Sequence, residues 1–221
     1  MASNVISVAP RRAGWPRKVL VWLGCAVLVA LGLRFYSRAV LNYAHFNAAH
    51  YGPFWKARWW LVGHLTGGSL ALVLGPFQFI GWMRRRYVKV HRWVGRLYLI
   101  GVLIGSISAF YMALWVTEEK AFGVALFYLM VAWLITSGMG YLTALRRQFA
   151  AHREWMIRSY VVTFGFVVFR LLQDLNVYGS FGIEAQLVML VWLAWAGPLL
   201  LTEVVLQWRR SVGVGVRSGR P

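Results

Sequence analysis

Acid and cysteine are the scarce components of this chain. Six Asp and Glu among 221 residues face 24 Lys and Arg, which leaves a formal net charge of +18. The single cysteine, Cys25, excludes an intramolecular disulfide and says nothing of redox compartment. Trp22, Leu23 and Gly24 before it make a poor lipoprotein-cleavage box. Also missing are the phosphate-cradling loop, the dinucleotide fingerprint, the nucleophile elbow and the metalloprotease helix, so no motif-borne catalytic class is indicated.

Apolar residues are what the chain has in excess. A hydrophobic content of 60%, 14% charged residues and a mean hydropathy of +0.58 are too apolar for one or two water-soluble domains. The excess of cations superficially suits nucleic acid. However, the Lys and Arg sit at the ends of apolar runs rather than along one face beside a soluble core, and no nucleic-acid partner is expected.

A bilayer core asks for roughly 20 apolar residues per helix. Runs meeting that length predict an all-α integral membrane bundle of about six transmembrane helices, near 19–36, 59–83, 94–116, 121–145, 157–178 and 185–207. The first apolar run is short and reaches full length if Arg34 snorkels outward. Arg11 and Arg12 ahead of it are reminiscent of a signal peptide, with Ala30-Leu31-Gly32 as a loose cleavage site; an uncleaved first helix is the better reading. Residues 1–18 read as a basic tail, 19–208 as the membrane domain, and 209–221, rich in Gly, Ser and Arg, as a disordered tail.

Cationic loops resist translocation. Clusters at Arg11–Lys18, Arg84–Arg96, Arg146–Arg158 and Arg209–Arg220 all fall on the side of the N-terminus, while the opposite side holds Arg34, Arg38, Lys56, Arg58 and Lys120. Both termini are therefore expected in the cytoplasm, with the Glu118/Glu119 turn outside. Trp59, Trp60, Trp82, Trp93, Trp115 and Trp208 fall at the expected interfaces.

Polar residues inside apolar runs are the first candidates for function. In the second run His64, Gly68, Ala71, Gly75 and Gln78 make one small-or-polar stripe, which suits close helix packing or a cofactor; Pro76 should bend the helix. In the fifth, Ser159, Thr163, Phe166, Arg170 and Gln173 share a face, and Asp174 lies one turn beyond Arg170 at ion-pair spacing. By helix rise His64 lies about 8 Å and Arg170 about 12 Å inside the outer surface, so His64, Gln78, Arg170 and Asp174 form a candidate intramembrane site. It serves either a structural pair or an anion, carboxylate or propionate. In the third run Gly101, Gly105 and Ser108 carry a small-xxx-small pattern for tight association.

A second candidate site lies at the cytoplasmic edge. His91, Arg92 and Arg96 have a counterpart in His152, Arg153 and Arg158, each group with a neighbouring Trp. Such clusters suit a metal or a haem whose propionates pair with arginine, or Arg/Trp anchors contacting anionic lipid head groups. His45 and His50 lie in the outer loop, where no metal-ligand spacing supports a site with His64.

Gly75-Pro76-Phe77-Gln78-Phe79, the run HRWVGRLY from His91 to Tyr98 and the run HREWMIRSY from His152 to Tyr160, followed by Thr163 and Arg170, resemble the bacterial membrane proteins grouped as domain of unknown function 2306. The resemblance spans roughly His64 to Arg170. It implies a multi-pass protein of the bacterial inner membrane and marks His64, Gln78, His91, Arg96, His152, Arg158 and Arg170 as motif positions. A looser architectural similarity links such bundles to b-type cytochromes and ferric-reductase-like proteins, although the paired histidines at equal depth that those need are not evident. Three functions stay open: a redox protein binding haem b or quinone, a carrier or receptor for a small anionic or lipidic ligand, and a non-catalytic assembly subunit.

Overall fold

The computed structural model describes residues 15–115 and 119–218, with the backbone alone at 15–18, 20, 21, 39 and 212–218. Among these residues there is no strand, and six helical segments are long and apolar enough to cross a membrane: Trp22–Ala44, Ala48–Phe79, Val88–Trp115, Lys120–Leu145, Phe149–Asp174 and Ile183–Ser211. The chain is a multi-pass helical membrane protein. In hydrocarbon each backbone N–H and C=O must be satisfied within its own segment, which is why apolar runs of this length become helices.

The helices, in chain order, are α1 (Trp15–Phe35), α2 (Ala48–Tyr51), α3 (Arg58–Leu74), α4 (Gly81–Arg86), α5 (Val88–Trp115), α6 (Lys120–Leu145), α7 (Phe149–Thr163), α8 (Gly165–Asp174) and α9 (Ile183–Ser218). Two of the expected helices are broken. The one near 59–83 stops at Leu74, passes through a 3₁₀ turn at Pro76–Phe79 and resumes as α4. Pro76 has no N–H to donate and its ring clashes with the preceding turn, so it ends the helix rather than bending it. The one near 157–178 starts earlier, at Phe149, and breaks at Phe164, where the ladder tightens to a three-residue step from Val167 N–H to Phe164 C=O at 3.0 Å. Gly165 follows, and a side chain there would meet Trp195 at 3.1 Å, so the break seats α8 against α9.

The ends differ too. α9 stays helical as far as Ser218, where composition suggests a disordered tail from 209; extending a formed helix gains a hydrogen bond per residue without needing an apolar face, and Arg210 ion-pairs with Glu154 of α7. Arg11, Arg12, Glu118 and Arg220 lie outside the described residues.

The seam between α3 and α5 is made by missing side chains. A Cβ at Gly67 would stand 2.5 Å from the Gly105 nitrogen and 2.6 Å from the Gly101 oxygen, and one at Gly63 would stand 2.6 Å from Ser108 Oγ. The two backbones therefore touch, the arrangement small residues permit between membrane helices. The buried core lies beyond this seam, where Tyr98, Val102, Trp133, Val162, Leu190 and Ala194 bring together α5, α6, α7 and α9. α1 stands apart: its main partner is α8, and none of its spanning window is buried.

Candidate functional site

His64 sits one position along α3 from the Gly63/Gly67 seam and so turns about 100° away from it. Its Nδ1–H donates to the Gly105 carbonyl at 3.1 Å, which fixes the neutral tautomer and leaves Nε2 as an acceptor. The only hydrogen bond of this ring to a described residue runs through Nδ1. The ring packs edge-on to Phe166 of α8, with centroids 5.6 Å apart. His64 lines an apolar cavity of about 110 Å³ together with Gly68, Met130, Trp133, Thr163 and Val167, and Phe35 and Val40 form the wall nearest α1.

Behind this cavity runs a buried hydroxyl network. Trp133 Nε1–H donates to Thr163 Oγ1 at 2.8 Å, and Thr163 donates to the Ser159 carbonyl at 2.8 Å. Thr163 has one proton, so Tyr98 O–H, 2.8 Å away, must be the donor to it. Tyr98 then accepts from Ser159 Oγ at 2.6 Å, and Ser159 accepts from Ser137 Oγ at 2.7 Å. Each hydroxyl has a partner and the chain of donors has one direction. The network is thus a satisfied, stiff wall.

A second cavity, of about 220 Å³, adjoins the first and shares Phe35 and Val167 with it. Its polar lining is Arg34, Arg38, Asn42, Tyr43, Arg170 and Asp174. The sequence suggests an Arg170–Asp174 ion pair, and here the structure differs. Asp174 is held by Arg34 of α1 at 2.5 Å, while Arg170 donates to Gln173 at 3.0 Å. Arginine preceding its acid by one turn is the weaker order on a helix, and Arg170 is exposed, so nothing forces it onto the carboxylate. His64 and Arg170 accordingly line neighbouring cavities rather than one.

Gln78 belongs to neither. It lies at the opposite end of α3 in the 3₁₀ turn, 8% exposed, packed where Gly95 lacks a side chain, and its Nε2 has no partner among the described residues. His91, one turn before Gly95, likewise has a buried Nδ1 with no partner among the described residues. His152 Nδ1–H donates to the Gly140 carbonyl at 2.7 Å, and its ring lies within electrostatic range of His91. No group of three metal-ligating side chains occurs among the described residues.

The arginines of this end separate into two kinds. Arg92, Arg96 and Arg153 are exposed, with Arg96 lying 4.9 Å over the Trp93 ring. Arg158 is buried; it donates twice to Glu203 of α9, at 2.9 and 2.6 Å, and approaches Glu154 at 3.7 Å. Arg158 thus closes a helix-to-helix ion pair.

Sequence reading passes over Arg34 and Arg38 as lining residues, Trp133 and Ser137 as network members, and Glu203 as the partner of Arg158. Only Glu203 carried a usable signal, being an isolated acid inside a long apolar run. The exposed His45 and His50 rings lie 4.7 Å apart, with His50 tied to Asn47.

No curated protein and no solved structure matches the chain. A family model described as predicted membrane protein (DUF2306) matches residues 61–206, a span wider at both ends than the motifs that suggested it, and the chain belongs to that family, the domain of unknown function 2306.

Proposed function

We propose that this protein is a membrane-embedded receptor or carrier for a small lipidic ligand, held in the apolar cavity between α3, α5, α6, α7 and α8 with His64 as its polar contact. The observation that carries this reading is the histidine itself. Its Nδ1–H is committed to the Gly105 carbonyl, and its second nitrogen is left without a hydrogen-bond partner among the described residues in a lining mostly of Met, Trp, Phe and aliphatic side chains, with Ser69 and Thr163 as the other polar residues. Polar side chains at membrane depth are costly and are placed where they meet a partner.

A haem b reading fits less well. The cavity of about 110 Å³ is far below the roughly 300–1,000 Å³ of sites that enclose a whole drug-sized ligand, and His64 is its sole histidine. His91 and His152 lie at the other end of the bundle, near the start of α5 and of α7. A quinone ring belongs to the size class that the cavity suits.

Gly68 lines the cavity, and a Cβ there would meet nothing within 4 Å, so Gly68→Phe fills the space without forcing the backbone apart. Protein purified in mild detergent is expected to be colourless and to release a lipidic compound on solvent extraction, with that compound reduced in His64→Ala and missing from Gly68→Phe. A Soret band, or identical extracts from all three proteins, would sink the reading. Unchanged extracts together with unchanged stability would favour the assembly-subunit alternative.

A further inference from the structure

The second cavity carries more positive charge than the protein neutralises. Arg34, Arg38 and Arg170 face one carboxylate, Asp174, within a space of about 220 Å³. Asp174 is taken by Arg34, Arg170 is bonded to a neutral amide, and Arg38 has no protein partner among the described residues. Two guanidinium charges are left uncompensated in a concave site. Guanidinium presents a planar fork of donors matched to the paired oxygens of carboxylate or phosphate.

Position decides what anion belongs there. The charged cavity and the His64 cavity share two lining residues, Phe35 and Val167, so charge and greasy space are adjacent. Arg34 and Arg38 lie at the end of α1, where its helix passes into the π turn Tyr36–Val40, while the His64 cavity reaches inward to Thr163 and Trp133. A molecule filling both spaces has an anionic head and an apolar body.

We propose that the Arg34/Arg38/Arg170 cavity is the head-group site for a single-chain anionic amphiphile, carboxylate- or phosphate-headed, the first part of whose apolar chain occupies the His64 cavity. This rests on the reading of that cavity as a ligand site and adds the ligand's charge and its polarity of binding.

The test uses the full chain in discs of neutral phosphatidylcholine, with direct binding of tritiated palmitate, of its methyl ester and of palmitoyl lysophosphatidate. Saturable binding of palmitate or lysophosphatidate is expected, about tenfold weaker in Arg38→Gln and in Arg170→Gln, with the ester binding weakly and indifferent to both changes. Whichever anion binds tighter identifies the head group. Gly68→Phe is expected to weaken the anions as well. Equal binding of acid and ester, unaffected by either arginine change but lost in Gly68→Phe, overturns the head-group assignment and leaves the lipidic cavity standing. Anion binding that depends on Arg38 yet survives Gly68→Phe overturns the amphiphile and the proposed cavity ligand together, leaving a bare anion site. An absence of saturable binding for all three probes overturns both.

Discussion

Tyr98 is where single-residue chemistry weighs most in this bundle. Its side chain is wholly buried, and its hydroxyl joins Ser159 of α7 to Thr163 one turn further on, at 2.6 and 2.8 Å. Hydrogen bonds between membrane helices are each worth about 0.6 kcal/mol on average and up to about 1.7. Removing this hydroxyl breaks two and leaves Ser159 a donor without an acceptor. Tyr98→Phe is therefore expected to lower stability by about 1–2 kcal/mol in a detergent-unfolding titration, while His64→Ala, which abandons one bond at the cavity wall, costs less. The reverse order would mean that the network is not the rigid element it looks. Arg158 differs from Tyr98 in kind: its pair with Glu203 is half open to the surroundings, since the Glu203 side chain is 43% exposed. It fixes where α9 meets α7 more than it adds stability.

At the scale of elements, adjacent glycines in α3 have opposite roles. A methyl group at Gly67 would press on the α5 backbone, which cannot yield as a flexible side chain can, whereas one at Gly68 would meet nothing within 4 Å. Overpacking of this kind costs about 1–3 kcal/mol, and an ordinary Gly→Ala change in a helix gains up to about 1 kcal/mol. Gly67→Ala is expected to destabilise the protein, and Gly68→Ala to leave it unchanged or slightly more stable, in the same unfolding assay. Equal effects would mean that the seam is not closely packed. This pair also marks how far the sequence can be read. The stripe His64–Gly68–Ala71 is legible as special from spacing alone, but the face that meets α5 is Gly63–Gly67–Ala71, one residue away. Spacing identifies a small-residue face without naming its partner, and neighbouring positions differ by only about 100°. Pro76 was legible as a disturbance of α3, but as a bend in a helix reaching 83 where the helix in fact stops at Leu74. The break at Phe164 was not legible, because what it accommodates, the close approach of Gly165 to Trp195, involves a distant part of the chain.

For the molecule as a whole, six spans were legible because hydrocarbon tolerates so few alternatives. The candidate site was less so. His64 and Arg170 were visible as polar residues in apolar runs, but Arg34 and Arg38 resemble any interfacial cations until α1 is laid against α8, and no local pattern encodes that docking. Sidedness is a whole-molecule property with its own test. With the basic clusters kept in the cytoplasm, a phosphatase reporter inserted beside Glu119 is expected to be active and one fused after the C-terminus inactive. Matching activity at the two positions would contradict an even number of crossings between the N-terminus and the C-terminus, or an odd number up to Glu119.

α1 leans on the bundle chiefly at α8, with Phe35 and Val40 walling the cavity on that side. On the proposed reading, a pocket beneath so lightly held a segment would be loaded from oil rather than from water. The proposed ligand would then be counted per lipid molecule rather than per litre, and adding inert phospholipid to an assay would shift its apparent dissociation constant by dilution alone, with no change in the protein.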